Sequence, residues 1–370
     1  MKILITGGAG FIGSHLTDAL IERKYSVRIL DNLDPQIHPD RKKPKYLNKK
    51  AEFFKGDVTV KKDLAKALQG IDAVLHKASA VGVGQSMYKI RHYVKANSLG
   101  TANLLDLLVN TKHKVKKVII AASMSSYGEG YYKCQKCGII QPALRSAEQM
   151  QKNKWDVYCP KCKSILQPVP TPEIARQNSN SIYAISKKNQ EEMVMTIGEA
   201  YNISSVSLRY FNVYGPRQSL SNPYNGVVAI FSSRIKAGHA PIIYEDGLQT
   251  RDFVHIKDLV RANILCLEKT ESDFQTFNVG SGKPIKIKDV AKIIAKIYKK
   301  DIKPNILYQA RKRDVRHCYA DIKRIKKILN WEPKVKFEDG IKDVIEWADQ
   351  EKSVDLYDKA HKELKKRKLV

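Results

Sequence analysis

The chain has 370 residues, 43% of them hydrophobic, which is enough for one full core and a second, smaller lobe. It contains no apolar run long enough to span a membrane, and Met1 leads into a predicted strand without a signal peptide, so we expect a cytoplasmic protein with no membrane partner. The net charge of +28 would suit nucleic acid or an anionic surface, but we favour lysine-rich helix faces as its explanation.

The beginning of the chain carries a dinucleotide-binding pattern. Residues 3–5 are predicted to form a buried parallel strand, and a helix is predicted to begin near Phe11 with its N–H groups facing a pyrophosphate. The glycines between them have G-x-G-x-x-G spacing and are Gly8, Gly10 and Gly13, with Gly7 added. A second strand ends at Asp31, whose carboxylate can bind a ribose and would repel a 2′-phosphate. The sequence therefore predicts NAD(H) rather than NADP(H) as cofactor.

Strand-like and helix-like stretches alternate through the first half of the chain. This alternation predicts an α/β fold with a doubly wound parallel sheet. The carboxyl ends of such strands form the ligand-binding edge of the sheet, so we expect the polar side chains of the site there.

Cysteine spacing predicts a structural metal site. Four of the six cysteines form two C-x-x-C pairs, which are Cys134 with Cys137 and Cys159 with Cys162. Two such pairs can present four thiolates tetrahedrally to Zn²⁺ without leaving an open position for catalysis. Disulfides are the main alternative, but the expected cytoplasmic location disfavours them, and neither pair has the strand-to-helix context of a redox motif. We expect Cys266 and Cys318 to be ordinary half-buried side chains.

Two later segments carry groups suited to proton transfer. Lys117–Ser123 reads as a strand whose carboxyl end places the Ser123 hydroxyl at the cofactor cleft. Tyr183 and Lys187 lie four residues apart on one face of a predicted helix that continues to Ala200. An ammonium and a nicotinamide cation nearby would favour the phenolate, so Tyr183 could take a proton from a sugar hydroxyl while Ser123 steadies the oxygen.

These motifs together resemble the extended short-chain dehydrogenase/reductase family, the NAD-dependent sugar-nucleotide epimerases and dehydratases. Besides the glycine loop, Ser123, Tyr183 and Lys187, the resemblance rests on residues 56–58, 76–80, 97–101, 208–216 and 251–255. It implies a Rossmann-type domain over residues 1–210, to which residues 252–282 return. It also implies a smaller C-terminal substrate lobe over 211–251 and 283–348, a zinc-binding insert at 130–170 and a charged C-terminal helix at 349–370.

The resemblance also implies ligand contacts. Asp57 and Val58 would flank the adenine, while Ala78, Lys187 and the strand end at Tyr210 would line the nicotinamide side. The complete predicted NAD set is Gly7, Gly10, Phe11, Ile12, Gly13, Asp31, Asn32, Asp57, Val58, Ala78, Ala80, Asn97, Tyr183, Lys187 and Tyr210.

For the substrate, the resemblance implies that Asn212, Arg251 and Arg311 hold a diphosphate and that Asp314 holds a nucleoside ribose. The predicted set is completed by Val81, Gln85 and Ser125. Residues 311–314 read Arg-Lys-Arg-Asp, where the family usually has Arg-Pro-Gly-Asp.

The pattern around Ser123 discriminates between reactions. Dehydratases of this family place an Asp-Glu pair directly after the catalytic Ser or Thr, whereas this chain has Met124 and Ser125 there. A net reductase would prefer NADPH, against which Asp31 argues. With elimination and net reduction disfavoured, the remaining reaction is redox-neutral epimerisation at C4 through a 4-keto sugar. Subgroup patterns in the sequence resemble dTDP-L-rhamnose 4-epimerases, which form dTDP-6-deoxy-L-talose.

Two classes of alternative remain open at this point. One is a UDP-hexose 4-epimerase or another dehydratase or decarboxylase of the same family. The other is a basic RNA-binding protein without enzymatic activity, which the presence of Ser123, Tyr183 and Lys187 together disfavours.

Family resemblance also implies a homodimer that pairs helices near 95–110 and 183–200. The cysteine segment occupies the long interval between Ser123 and Tyr183, so its ends are expected beside the sugar pocket. We interpret it as a wall or lid that shapes sugar selectivity.

Overall fold

A computed structural model describes residues 1–224, 226–351 and 354–370. The strands are β1 Lys2–Thr6, β2 Ser26–Asp31, β3 Glu52–Lys55, β4 Ala73–His76, β5 Lys117–Ser123, β6 Tyr131–Cys134, β7 Gly138–Ile140, β8 Gln167–Val169, β9 Ser204–Tyr210, β10 Asn212–Tyr214, β11 Ile242–Ile243, β12 Thr250–His255, β13 Gln275–Val279, β14 Pro284–Lys286, β15 Asn305–Ile306 and β16 His317–Cys318. The helices are α1 Phe11–Glu22, α2 Lys61–Ala67, α3 Val83–Ser86, α4 Ile90–Tyr93, α5 Gly100–Asn110, α6 Ala147–Gln151, α7 Ile182–Ala200, α8 Val227–Lys236, α9 Ile256–Glu268, α10 Ile287–Ile297, α11 Lys323–Leu329, α12 Phe337–Gln350 and α13 Tyr357–Lys366. A π-helical segment spans Val94–Leu99, and 3₁₀ turns span Met124–Tyr127 and Thr270–Ser272.

The main sheet has seven parallel strands in the order β3-β2-β1-β4-β5-β9-β13. Its strands are apolar on both faces because both faces are covered: in β1, Ile3 and Ile5 face one hydrophobic cluster and Leu4 faces the other. Helices α1, α9 and α11 contribute to the first cluster, and α2, α5 and α7 contribute to the second. The predicted α/β class and doubly wound parallel sheet are confirmed.

A second group of elements follows the main sheet in the chain. Strands β10, β12 and β14 form a small sheet in which β16 also pairs with β12, and β11 pairs with β15. Helices α8, α10 and α12 pack against these strands around one apolar cluster that includes Phe231, Phe253 and Ile294. The chain returns to the main sheet through α9 and β13.

The cysteine-containing segment forms its own small sheet, β7-β6-β8, which is antiparallel. A small cluster around Tyr132, Val157 and Leu166 supports it. The expectation for the two remaining cysteines was wrong, because Cys266 and Cys318 are fully buried rather than half-buried. Cys266 lies on α9 in the core beneath the sheet, and Cys318 packs in a cluster that contains Tyr127.

The C-terminal helix begins later than predicted. Asp349 belongs to the end of α12, and the separate helix α13 starts at Tyr357. Just before this start, the Asp355 carboxylate accepts hydrogen bonds from Arg234, from His239 and from the N–H of Tyr357, the first residue of α13. In the part of the chain that the structure describes, none of the helices is both long and apolar enough to cross a membrane.

Candidate active site

The glycine loop between β1 and α1 is shaped by close packing. Gly7 has φ +69°, and a Cβ there would lie 2.8 Å from the backbone nitrogen of Ala78. A Cβ on Gly13 would lie 2.2 Å from the Gly7 oxygen, so the helix can approach the strand only without a side chain. At Gly10, by contrast, the nearest protein atom would be 3.4 Å away. Protein atoms thus exclude a side chain at Gly7 and Gly13 but not at Gly10. This arrangement fits a loop whose Gly10 side faces a pyrophosphate.

Asp31 organises this loop from the end of β2. Its carboxylate accepts hydrogen bonds from the backbone N–H groups of Ala9 (3.0 Å) and Leu33 (2.9 Å). Burial raises the pKa of Asp31, although these two N–H groups act in the opposite direction. The next predicted adenosine residues also lie together, because Asn32 donates to the Asp57 carboxylate at 2.9 Å.

The three predicted catalytic residues meet at the carboxyl ends of β5 and β9. Ser123 is the last residue of β5, and Tyr183 lies in the first turn of α7. Burial raises the pKa of Tyr183, and the neighbouring Ser123 side chain acts in the opposite direction. The Lys187 ammonium does not bind the phenol oxygen; it donates to the Ala121 carbonyl (2.7 Å) and to Gln190 (3.0 Å).

The ammonium of Lys187 is thus directed at Ala121 and Gln190 in this structure, and the expectation that it lowers the pKa of Tyr183 stays a prediction. The side chains of Tyr183 and Lys187 are both nearly inaccessible to water, and this desolvation disfavours the charged form of each. The same burial lowers the pKa of Lys187 to about 7.

A buried hydrogen-bond chain connects Lys187 to the glycine loop. Gln190 accepts from Lys187 and donates to the Thr101 hydroxyl at 2.7 Å. His76 joins Thr101 (3.0 Å) to the hydroxyl of Thr6 (2.8 Å) at the end of β1. The Thr6 hydroxyl accepts two backbone N–H groups, so it donates to Nδ1 and His76 carries its proton on Nε2. Sequence reasoning missed Gln190, although it lies one helical turn beyond Lys187.

The polar side-chain groups of Asn97 and Tyr210, both predicted to contact NAD, are hydrogen-bonded to other protein groups. The amide of Asn97 holds the backbone of Ala80, accepting from its N–H at 2.7 Å and donating to its carbonyl, and it also donates to Ser186 on α7. Tyr210 lies opposite Ser123 in the β5–β9 register, but its hydroxyl donates to Asn263 on α9. The Tyr210 hydroxyl is therefore already occupied by Asn263.

The residues predicted for the sugar differ in their availability. Val81 is exposed, and the Ser125 hydroxyl accepts from Ser123 at 3.1 Å. The Gln85 amide is occupied by Gln36 and by the hydroxyl of Tyr93. Asn212 was predicted for the diphosphate, and its buried Oδ1 has no hydrogen-bond partner among the described residues.

Arg251, Arg311 and Asp314 form one ionic cluster. Arg251 donates to one carboxylate oxygen of Asp314 at 3.0 Å, and Arg311 donates twice to the other. Burial would raise the pKa of Asp314, but the two guanidinium groups hold it at about 2. The predicted ribose and diphosphate residues are thus brought together, with their charges directed at each other.

Comparison with known proteins identifies the family. The family model described as NAD dependent epimerase/dehydratase family matches residues 3–153, and the model described as GDP-mannose 4,6 dehydratase matches residues 165–344. The dTDP-L-rhamnose 4-epimerase of Burkholderia thailandensis is 34% identical, over 95% of this chain and 95% of that protein. The chain belongs to the NAD-dependent epimerase/dehydratase family.

Solved structures agree with this assignment. The UDP-glucose 4-epimerase of Thermotoga maritima, with UDP-glucose, is 32% identical with a TM-score of 0.77 over 95% of this chain and 99% of that chain. The UDP-glucuronic acid 4-epimerase of Bacillus cereus, with UDP-glucuronic acid and NAD, is 27% identical with a TM-score of 0.76 over the same shares of the two chains. The predicted family, the Rossmann-type fold and the enzyme class, an NAD-dependent nucleotide-sugar isomerase, are confirmed.

Within this epimerase, the four cysteines of the insert have the geometry of a metal site. Their sulfur atoms all lie within 4.8 Å of one another, and those of Cys134 and Cys162 are 3.5 Å apart. A zinc–sulfur bond of about 2.3 Å gives a tetrahedral sulfur–sulfur edge of about 3.8 Å, whereas a disulfide requires about 2.05 Å. All six cysteines, which lie within the described residues, are free. The donor set therefore fits a tetrahedral metal and does not fit disulfides.

The two cysteine pairs lie in matching turns. The chain adopts φ +80° at Gly138 and φ +62° at Lys163, each four positions after the first cysteine of its pair. The first turn joins β6 to β7, and the second is closed by the Cys159 N–H donating to the Ser164 carbonyl at 2.8 Å. Neither turn starts a helix, which agrees with the expectation that the two pairs lack the context of a redox motif.

Helix α13 contacts both sides of the candidate substrate cleft, which the sequence did not indicate. The Glu363 carboxylate accepts from the hydroxyls of Tyr88 (2.7 Å) and Tyr224 (3.0 Å). Two residues before Glu363, His361 lies 2.7 Å from the hydroxyl of Tyr244, and the Arg311 guanidinium lies 4.9 Å from the centre of the Tyr244 ring. The helix thus bridges the 81–88 segment and the Arg311–Asp314 cluster.

Burial of Lys187 predicts a specific pH dependence of stability. The unfolded chain keeps this proton up to a pKa near 10.5, whereas the folded chain releases it near pH 7. Between these values the unfolded state binds one more proton, so the contribution of Lys187 to the free energy of unfolding rises with pH, by up to about 1.4 kcal/mol per pH unit. Below pH 7 that contribution is constant.

The test compares the wild type with Lys187→Met in urea unfolding from pH 6 to 9, on protein stripped of nucleotide. We expect the free energy of unfolding of the wild type, minus that of the variant, to be constant at low pH and to rise above about pH 7. Lys188→Met, at a partly exposed neighbour paired with Glu192, should give a difference that is flat throughout. A flat difference for Lys187 as well would show that its ammonium is not desolvated.

Proposed function

We propose that this enzyme epimerises a nucleotide sugar at C4 and that its substrate is dTDP-L-rhamnose, which it converts to dTDP-6-deoxy-L-talose. The observation that carries the reaction type is the meeting of Ser123, Tyr183 and Lys187 beside the glycine loop. Similarity to a dTDP-L-rhamnose 4-epimerase supports the substrate. The Ser125 hydroxyl, 3.1 Å from Ser123, stands where a dehydratase would need an acid, which supports epimerisation over elimination.

The side chains divide the reaction between them. Tyr183 removes the proton of the C4 hydroxyl and returns it after the keto-sugar has turned over. Ser123 would donate to the same oxygen once its hydroxyl turns away from Ser125, and its side chain already acts to lower the pKa of Tyr183. Lys187 lies one helical turn after Tyr183 and is anchored by Ala121 and Gln190, so we assign it to the nicotinamide side of the site. The residues assigned to NAD would hold it beside C4, where it would supply a reversible hydride acceptor.

The cofactor and substrate roles follow the same assignment. We assign NAD to Gly7, Gly10, Gly13 and Asp31 with the adenosine and nicotinamide residues predicted from the sequence. Asn212 is a suitable diphosphate ligand. Its buried amide oxygen has no hydrogen-bond partner among the described residues, so the amide can rotate and direct its N–H₂ group toward a phosphate. Arg251 and Arg311 would complete the diphosphate site, and Asp314 would bind the ribose.

Zinc is the metal we assign to Cys134, Cys137, Cys159 and Cys162, because four thiolates in tetrahedral arrangement leave no open position. Its role would be to hold the 130–170 insert, which we place at the wall of the sugar pocket. We also retain the division into a dinucleotide-binding domain and a substrate lobe as a proposal.

A homodimer remains our proposal for the assembly. Val94, Leu99 and Ile185 are large apolar side chains with exposed fractions of 45%, 43% and 52%, and they lie on or beside the helices α5 and α7. Covering them would remove apolar area from water. Light scattering after size exclusion should give twice the chain mass.

The decisive experiment is NMR of the purified protein incubated with dTDP-L-rhamnose without added cofactor. Appearance of the 6-deoxy-talose epimer supports both the reaction and the substrate, and shows that bound NAD is recycled. UDP-glucose and UDP-glucuronic acid are the controls, because solved relatives hold these sugars. Turnover of a UDP-sugar alone would retain the reaction and replace the substrate, while no turnover of any sugar would contradict the proposal.

A further inference from the structure

Arg145 joins the cysteine insert to the substrate lobe. It lies between the two cysteine pairs, and its side chain is only 2% exposed. Its guanidinium donates to both carboxylate oxygens of Glu245, at 2.9 Å each, and to the backbone carbonyl of Asp314 at 3.3 Å. A fourth hydrogen bond, donated to the Trp155 carbonyl, fixes the same group within the insert. One planar side chain therefore spans from the insert to the predicted ribose residue.

The partners of Arg145 form a closed set of buried charges. Glu245 also accepts from Arg316 at 2.8 Å, and Arg316 donates to both oxygens of Asp246. Glu129 directly precedes the insert; it accepts from the Arg316 backbone N–H at 2.8 Å and is 3.8 Å from Arg145 Nε. Side-chain exposures of Arg145, Glu129 and Glu245 are 2%, 0% and 1%, so water does not screen these contacts.

Asp314 is consequently held by arginines from two different segments of the chain. Arg251 and Arg311 hold its carboxylate, and Arg145 holds its carbonyl. The first two arginines belong to the substrate lobe, whereas Arg145 comes from a segment 169 residues away. The position of the Asp314 backbone thus depends on how the insert is docked.

We propose that Arg145 is a positioning residue for the nucleotide part of the substrate: by fixing the Asp314 segment, it sets the geometry of the ribose and diphosphate subsite. This inference rests on the proposed function. Arg145 is not linked to Ser123, Tyr183 or Lys187 by any hydrogen bond among the described residues, so its loss should affect substrate affinity and leave the chemical step. Lysine cannot replace it, because an ammonium lacks the planar fork that engages Glu245 and the Asp314 carbonyl together.

The test is Arg145→Lys, which keeps the charge and removes the fork. Isothermal titration with dTDP and with UDP should show affinity weakened by about tenfold, and KM for the nucleotide sugar should rise to a similar extent with kcat within about twofold of wild type. Bound NAD, metal content and melting temperature serve as controls for folding. Arg176→Lys, at an exposed arginine near the end of the insert, should match the wild type in every measurement.

If Arg145→Lys does not fold, Glu245→Gln removes the carboxylate charge from the same contact and should weaken dTDP and UDP binding in the same way. Unchanged nucleoside diphosphate affinity in a folded variant would overturn the inference, as would a loss confined to kcat. Loss of metal in parallel with affinity would overturn it too, because Arg145 would then only support the insert. If the wild type itself binds neither dTDP nor UDP while retaining NAD, the proposed function fails first.

Discussion

Replacing Tyr183 by Phe is expected to lower kcat by about 10²- to 10⁴-fold, the usual contribution of a positioned acid–base group. The change removes one oxygen and keeps the ring, which packs edge-on against Tyr93 with centroids 6.4 Å apart. The fold, the NAD content and the affinity for the nucleotide sugar should therefore stay near the wild type. Steady-state kinetics with the substrate identified by NMR, together with the absorbance of bound nucleotide, measures all three.

Tyr201→Phe is the matched control for this prediction. Tyr201 directly follows α7, and its side chain is 53% exposed, so the same chemical change there should leave kcat unaltered. Activity of Tyr183→Phe within tenfold of wild type would mean that another group moves the proton. In that case Ser123 would be the next candidate, since its hydrogen bond acts on the Tyr183 hydroxyl.

The sequence predicted those parts of the site that depend on short-range spacing. The glycine loop, the carboxylate that closes β2 and the four-residue interval from Tyr183 to Lys187 each lie within one strand, turn or helix. Parallel strands then bring their carboxyl ends to one edge by topology alone, which is why Ser123 could be placed beside Tyr183. The cysteine pairs could also be recognised in the sequence, because metal-binding turns need two ligands with two residues between them.

Contacts between distant segments were not readable in the same way. Lys187 was expected to act on Tyr183, but its ammonium turns to the Ala121 carbonyl, and that choice depends on how α7 rests against β5. The partner of Arg145 lies 100 residues away, and nothing near either residue in the chain indicates the pair. Long, flexible side chains can reach several partners, so only the packed structure decides among them.

Removing one thiolate from the cysteine site should abolish metal binding and loosen the insert. For Cys137→Ser we expect the metal content to fall from about one ion per chain to less than about a tenth, because a tetrahedral site with three thiolates loses most of its affinity. The small cluster around Tyr132 and Leu166 is the insert's own apolar support. Without the metal, limited proteolysis should therefore cut between residues 135 and 165 while the main sheet stays intact.

Cys266→Ala is the control, because this thiol is buried on α9 away from the insert and should not affect metal content. Elemental analysis distinguishes zinc from iron, which four thiolates can also bind. Full metal content in Cys137→Ser would rule out the four-thiolate site. If metal is lost but dTDP and UDP still bind with wild-type affinity, the ionic contacts of Arg145 and Glu129 must dock the insert without help from the metal. Loss of both would instead mean that the metal holds the insert in the position from which Arg145 reaches Asp314.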